Sequence, residues 1–352
     1  MSMLKVGVIG VGSISQFHIE PYLNNAEVEL VAFCDSNEKR LQEKGKHYDV
    51  AELYTDYQEL LQNNAIDAVS ICTWNNSHAE IAIAAMEAGK HVLVEKPLSM
   101  TVEEAMAVEA AQKKTGKLLQ VGFVRRHGDN AKLLKKFIDH GDLGEIYYAK
   151  ATCLRRLGNP GGWFSDMTKS GGGPLIDLGV HMIDICWYFM GKPRPVSVSG
   201  NTYKKLGNRS HIENLSFYQA ADYDPTVNDV EDLTNAIIRF ENGASLMVDV
   251  SFTLQAKKNE LYVKLFGDQG GAEIEPELAI VTEKHNTILN VTPQIDSLTF
   301  DFNQAFTNEI NHFVDCCLHG KDTIAPVSDG VQVMKMLHAV YESAKTGKEV
   351  YL

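Results

Sequence analysis

From Leu4 to Val124, short apolar runs alternate with helix-length stretches whose apolar positions recur every three or four residues. That alternation is the mark of parallel βαβ units. The runs LKVGVIG, ELVAFCD, AVSICT, HVLVEKP and LLQVGFV are the expected strands, with a shorter one at ELYT. Between them HAEIAIAAMEAGK follows Ser77, and VEEAMAVEAAQKKTGK follows Thr101, which can cap a helix whose first turn holds glutamates. This half reads as α/β, a doubly wound parallel sheet.

After Val124 an amphipathic helix near AKLLKKFIDHG precedes longer strand-like runs, EIYYAKATCLRR, PVSVSGNTY, LTNAIIRF, ASLMVDVSFTL and ELYVKLFG. Few helices separate them, so they suit one large, mainly antiparallel open sheet in an α+β domain. Helical patterns return at FNQAFTNEINHFVDCCLHG and DGVQVMKMLHAVYESAKTG, each ending on glycine as a C-cap would. No repeat or low-complexity linker intervenes, so the expected domains are residues 1–124 and 125–352, joined by a tight crossover. The open sheet is expected to present a broad apolar face, which commonly marks an oligomer interface, so a homodimer or homotetramer follows.

The 352 residues suit two domains, and 44% hydrophobic with 22% charged residues is ordinary for a globular protein. A net charge of -13 argues against a nucleic-acid partner, because phosphate binding needs clustered lysine and arginine. A small-molecule substrate is the better expectation. No apolar run is long enough to span a bilayer and no basic-then-apolar leader pattern opens the chain, so a cytoplasmic protein without membrane contact is expected. The cysteines at 34, 72, 153, 186, 316 and 317 form no CxxC pair and read as buried reduced thiols.

GVGSIS, Gly10 to Ser15, ends the first strand with two glycines of a GxGxxG turn and a serine in the third place. The first glycine permits a tight turn, and the second lets a pyrophosphate approach the helix N-terminus that Ser13 and Ile14 lead into. Asp35 ends the second strand, placed to accept from an adenosine ribose and to repel a 2′-phosphate, so NAD is expected. Lys39 and Arg40 leave NADP open. Ser15 adds only a small side chain whose hydroxyl can bond back to a helical carbonyl. The bland alternative is a plain turn with Asp35 as a helix cap.

Two further stretches carry candidate chemistry. In VEKPLS, Lys96 is either a solvated surface residue or one fixed by Pro97, which constrains the backbone before it and can form a cis bond. In SGGGPLIDLGVHMIDICWYFMG, a helix is expected on which Asp177, His181 and Asp184 fall on one face at i, i+4 and i+7. His181 is either a core histidine satisfied by an aspartate or a working group, and the run Gly171 to Gly173 favours close approach of a ligand. No companion motif completes a zinc ligand set, so no metal is expected.

Together VGVIGVGSIS, CTWNNSH, VEKPL, VGFVRRH, GDLGEI, GGGPLIDLGVHMID, VEDLTNAIIRFENGA and AVYESAKTGKEV resemble the Gfo/Idh/MocA oxidoreductases, which include glucose-fructose oxidoreductase and inositol dehydrogenase. The resemblance implies a Rossmann NAD(P)-binding domain followed by an α/β substrate and oligomerisation domain. It implies that Lys96, Asp177 and His181 are catalytic, and that Gly10, Gly12, Ser13, Ile14, Asp35, Arg40, Thr73, Trp74, Asn75, His78, Glu95 and Lys96 line the cofactor. Arg126 and Trp163, with Asp177 and His181, would face substrate. Trp74 stands where proline is common in the family; inositol-dehydrogenase-like members resemble this chain more closely there, a pointer to a polyol.

The leading expectation is a nucleotide-binding dehydrogenase acting on the CH–OH group of a sugar or cyclic polyol. Its alternatives are a redox and elimination reaction as in NAD-dependent glycosidases, and a non-catalytic nucleotide-binding regulator.

Overall fold

The computed structural model describes residues 3–220, 224 and 226–352. The chain forms two compact units, Met1–Val124 with Phe306–Met334, and Arg125–Ala305 with Lys335–Leu352.

In the first unit β1 (Leu4–Ile9), β2 (Val28–Cys34), β3 (Glu52–Tyr54), β4 (Ala68–Ile71), β5 (His91–Glu95) and β6 (Leu119–Gly122) form one sheet. Their order is β3-β2-β1-β4-β5-β6, and every pairing is parallel. A parallel sheet is covered on both faces, which is why β4 and β6 are buried at every position. The strand order reverses between β1 and β4, and ligands of such sheets bind at that switch point. The helix Val102–Thr115 opens with the expected cap: Thr101 accepts from Glu104 N–H while Glu104 accepts from Thr101 N–H, and Gly116 closes it at φ 66°.

The helix Phe302–His319 departs from the expected second block, 125–352. Its residues Ile310, Phe313 and Val314 pack with Leu4, Val6, Tyr22, Ala68 and Leu93 in the first unit's core. Periodicity shows that this helix has an apolar face; it does not show which sheet receives it.

The second unit is built on β7 (Ile146–Leu154), β8 (Pro195–Tyr203), β9 (Leu233–Phe240), β10 (Ser245–Ser251), β11 (Glu260–Gly267), β12 (Gly270–Glu275), β13 (Ala279–Lys284), β14 (Thr287–Val291) and β15 (Val350–Tyr351). The sheet order is β14-β13-β12-β11-β7-β10-β9-β8-β15, antiparallel except where β10 pairs with β7. Alternate residues of β9, namely Thr234, Ala236, Ile238 and Phe240, are buried. The helix Val180–Phe189 covers β7, β10 and β11 on one face.

The other face is not the broad apolar surface expected. The stacked rings of Tyr148 and Phe266, 5.4 Å apart, and Met247 share it with Lys150, Lys264 and Asp249. Lys264 is paired with Glu273 at 2.8 Å. The strand patterns predict which face is buried but understate how charged the other one is.

All six cysteines are free, four of them buried. Burial pushes their thiols up, that of Cys34 to about 12. Among the described residues no helix is long and apolar enough to cross a membrane.

Candidate active site

Because β1, β4 and β5 are parallel, the residues that follow their carboxyl ends collect along one edge of the first unit. Gly10 follows β1, Thr73 comes just after β4, and Lys96 follows β5. Gly10 has φ 87°, and a Cβ there would lie 2.7 Å from the Cys72 carbonyl carbon, so only glycine fits. At Gly12 a Cβ would meet nothing closer than Arg40 Nη1 at 3.7 Å. The protein itself does not demand glycine at 12, so the open side of that residue is the cradle a dinucleotide phosphate would fill.

Around that cradle Ser13 is exposed, while Ile14 packs with Val8, Val11 and Ile19. Ser15 is fully buried and its Oγ donates to the Gly12 carbonyl at 2.8 Å, the back-bond its position predicts. Asp35 accepts the N–H of Val11 at 2.9 Å and that of Asn37 at 2.8 Å, tying the end of β2 to the glycine turn. Arg40 Nε stands 3.5 Å from Asp35 Oδ2. Its charge is partly offset there, which weakens it as a 2′-phosphate site.

Thr73 Oγ1 accepts from Ser77 at 2.7 Å, Trp74 is 40% exposed beside it, and Asn75 is buried at the start of a short 3₁₀ turn. His78 is buried, with Nδ1 2.7 Å from the Pro97 carbonyl and Nε2 3.1 Å from that of Thr73. Burial pushes its pKa down, and each ring nitrogen faces a main-chain carbonyl oxygen. His78 therefore joins the Thr73 loop to the Lys96 and Pro97 loop, and the ring itself is closed off from a ligand. The Lys96–Pro97 peptide is cis.

Glu95 is buried beneath Lys96. Its Oε1 lies 2.9 Å from His18 Nε2, and its Oε2 accepts the Lys96 N–H at 3.2 Å. Burial would raise its carboxyl, but the His18 hydrogen bond and the charges of His18 and Lys96 outweigh it and hold the pKa below the ordinary range. Ser70 bonds both His18 and Tyr22, extending the chain inward. Sequence reasoning missed His18, Tyr22 and Ser70. No spacing signals them, because they meet only when β4, β5 and the helix Gln16–Leu23 pack together.

In the second unit the stretch after Pro174 is not one regular helix. Leu175–Gly179 is a π-helical turn and Val180–Phe189 an α-helix. Such turns are frequent at functional sites. From Gly172 to Met190 every residue is buried except Asp177, His181 and Tyr188, which are half-buried. Asp184, expected in the same polar stripe, is instead 1% exposed and forms an ion pair with Arg126.

Arg126 is itself 1% exposed, its Nε 3.1 Å from Asp184 Oδ2 and its guanidinium 4.6 Å from the Tyr188 ring centre. The side chain expected to face substrate is thus turned inward. Arg125, its neighbour, pairs with Glu275.

Two of the three glycines, Gly172 and Gly173, are also required by packing. A Cβ on Gly172 would strike Tyr341 Oη, and one on Gly173 would lie 2.5 Å from the Glu231 carbonyl. Glu231 accepts from Gly173 N–H at 3.0 Å, Leu175 N–H at 3.2 Å and Tyr341 Oη at 2.9 Å, fixing the start of the π turn. Close packing on Glu231 and Tyr341 requires the glycines, whether or not a ligand comes near.

Trp163 lies in the 3₁₀ turn Gly162–Ser165, half-buried and stacked on Phe164 with centroids 3.9 Å apart. Its loop hangs on Asn159, which donates to Asn208 and Asn228 and accepts from Gly161 N–H and Ser165 Oγ. Among the described residues no group of three His, Cys, Asp or Glu side chains is placed to hold a metal ion.

Residues 4–123 match the family model described as oxidoreductase family, NAD-binding Rossmann fold, and residues 135–352 match its C-terminal alpha/beta domain. The chain is 34% identical to D-glucoside 3-dehydrogenase of Escherichia coli over 100% of its own length and 98% of the relative's. It is 29% identical to scyllo-inositol 2-dehydrogenase (NAD(+)) of Bacillus subtilis, over 99% of this chain and 96% of that one. A levoglucosan dehydrogenase solved with NADH and levoglucosan superimposes with a TM-score of 0.87 at 25% identity, covering 99% of each chain. The glycine cradle, the lysine after β5 and the Asp177 and His181 turn thus sit in a dehydrogenase: the chain belongs to the Gfo/Idh/MocA family of NAD-binding oxidoreductases.

Proposed function

We propose that this protein oxidises a secondary alcohol of a sugar or cyclic polyol, using Lys96, Asp177 and His181. The observation that carries the reading is the π turn that leaves Asp177 and His181 half-buried on a segment otherwise sealed but for Tyr188. The named relatives act on a glucoside and on an inositol, which supports the substrate class.

NAD, when bound, supplies the acceptor for the substrate's hydride. Gly10, Gly12, Ser13 and Asp35 would hold its pyrophosphate and ribose, with Ile14, Arg40, Thr73, Trp74, Asn75, His78 and Glu95 shaping the same edge. His181 takes the hydroxyl proton, the general-base role that histidine most often fills. Asp177 orients the imidazole and stabilises its protonated form. Lys96 stabilises the negative charge that grows on the substrate oxygen as the proton leaves, and Glu95 below it fixes the main chain from which that lysine springs. Trp163 supplies a flat apolar surface to a sugar ring. A cytoplasmic homodimer or homotetramer, joined through the mixed face around Tyr148 and Phe266, completes the proposal; light scattering on the purified protein measures the assembly.

The test is a spectrophotometric screen of glucosides, aldoses and inositols with NAD and NADP, wild type against His181→Ala. Turnover with net NADH production, lowered about 10²- to 10⁴-fold in the variant with NAD affinity kept, is expected. Product release without NADH would point to redox and elimination instead. Near-normal turnover in His181→Ala would remove the assigned base.

A further inference from the structure

Beyond the end of β7 the second unit holds a cavity of about 310 Å³ that the reaction proposed above does not use. Arg156 and Arg209 line it, together with Leu157, Leu215, Leu254 and Glu213. In a chain of net charge -13, both guanidinium groups here rest on neutral acceptors. Arg156 Nη1 donates to the Lys257 carbonyl at 3.0 Å. Arg209 donates to the Arg156 carbonyl at 2.8 Å and to Gln255 Oε1 at 3.3 Å. Among the described residues neither has a carboxylate within ion-pair distance. Leu157, Ile212, Leu215, Leu254 and Ala256 supply the apolar part of the wall, beside Asn214 and Gln255, so the cavity offers an apolar surface with cationic hydrogen-bond donors.

The cavity is preformed. Arg209 bridges the β7 end to Thr253 and Leu254, and Asn159 ties the same loop to Asn208, the neighbour of Arg209. Its position also matters. Leu157 in its wall belongs to the loop after β7 that also carries Trp163, the ring given to the sugar above, and Asn159 of that loop is bonded to Asn208, the neighbour of Arg209. The cavity and the residue proposed to seat the sugar ring therefore share one anchored loop.

We propose that this cavity is an outer subsite for the aglycone of a glycoside, a group with an apolar body and an anionic substituent such as a carboxylate, while the sugar ring is held at Asp177 and His181. The inference rests on the dehydrogenase reading of the preceding subsection and adds a substrate class to it. Apolar area seats on the leucines, and the anion meets Arg156 and Arg209, which among the described residues have no acidic partner within ion-pair distance, Glu213 standing elsewhere in the lining. Such binding is the same in ground and transition states, so it acts on KM and leaves kcat in place.

The experiment compares methyl, phenyl and 4-carboxyphenyl glucosides of one anomer, by initial rates with NAD and by calorimetric binding to the NAD-loaded protein. The expected result is a KM and a Kd for the 4-carboxyphenyl glucoside about ten-fold below those of the methyl glucoside, with kcat similar. Arg156→Gln should shrink that ratio most of the way to one, and Leu215→Asp, which brings a negative charge to the wall, should invert the preference between carboxyphenyl and phenyl. Equal values for the three glucosides, or a ratio unchanged in both variants, would overturn the subsite. If no glucoside is oxidised, the dehydrogenase reading for this class fails, while the calorimetric ratio and its loss in Arg156→Gln still decide the cavity.

Discussion

Glu95 and His18 meet in the interior of the nucleotide-binding unit with Oε1 and Nε2 2.9 Å apart, directly beneath the lysine assigned to catalysis. The other carboxylate oxygen holds the Lys96 main chain. Removing the charge therefore acts on both stability and the lysine's position.

Glu95→Gln should lower stability at neutral pH by about 1.5–3 kcal/mol, the worth of a charge-assisted buried hydrogen bond. The folded carboxyl titrates below its ordinary value of 4.5, so its contribution is present above that value and lost as pH falls through the lowered one. Thermal melts of both proteins between neutral and acidic pH check this. The gap between the two melting curves should close on the acidic side, and a gap constant with pH would remove the ionised pair as its cause.

The two turn glycines should fail differently. Gly10→Ala places a Cβ against Cys72 at a positive φ, so the variant should melt at lower temperature even without cofactor. Gly12→Val has room in the protein and should melt near the wild type but lose NAD binding. Ser15→Gly should change NAD affinity little. Melting curves and NAD titrations on the three proteins separate these outcomes.

Arg126 and Asp184 form a fully buried pair, with side-chain exposures of 0% and 1%. Breaking it from one side leaves an isolated buried charge, so Arg126→Met should cost about 3–5 kcal/mol. The double variant Arg126→Met with Asp184→Leu should regain much of that loss. If Arg126 bound substrate instead, the single variant would keep its stability and raise KM; denaturant unfolding alongside steady-state kinetics tells the two apart.

Asp35 is the residue proposed to choose the cofactor. Asp35→Asn keeps an acceptor for only one of the Val11 and Asn37 N–H groups, and it removes the charge that opposes a 2′-phosphate and that now engages Arg40. The ratio of kcat/KM for NADP to that for NAD should rise by about ten-fold or more, one such charge contact being worth at least about 1.4 kcal/mol. An unchanged ratio would show that Asp35 serves the turn alone.

What could be read from the chain were the features that depend on neighbours in sequence. Apolar runs of strand length, the Thr101 cap and the glycine turn after β1 all reflect local periodicity or local backbone need, and each stands where it was expected, whereas the helix expected to carry Asp177 and His181 opens as a π turn. What only the tertiary structure decided were the partners. Asp184 looks like a third member of a polar stripe until Arg126 claims it, and Gly172 and Gly173 look like part of a ligand loop until Tyr341 and Glu231 occupy the space beside them. The helix Phe302–His319 belongs by sequence order to the second domain and by packing to the first. His18 under Glu95 carries no motif at all. Periodicity records which side of an element is apolar, whereas burial, ion pairing and steric need depend on residues 58 or 77 positions away that only the folded chain brings within hydrogen-bond reach.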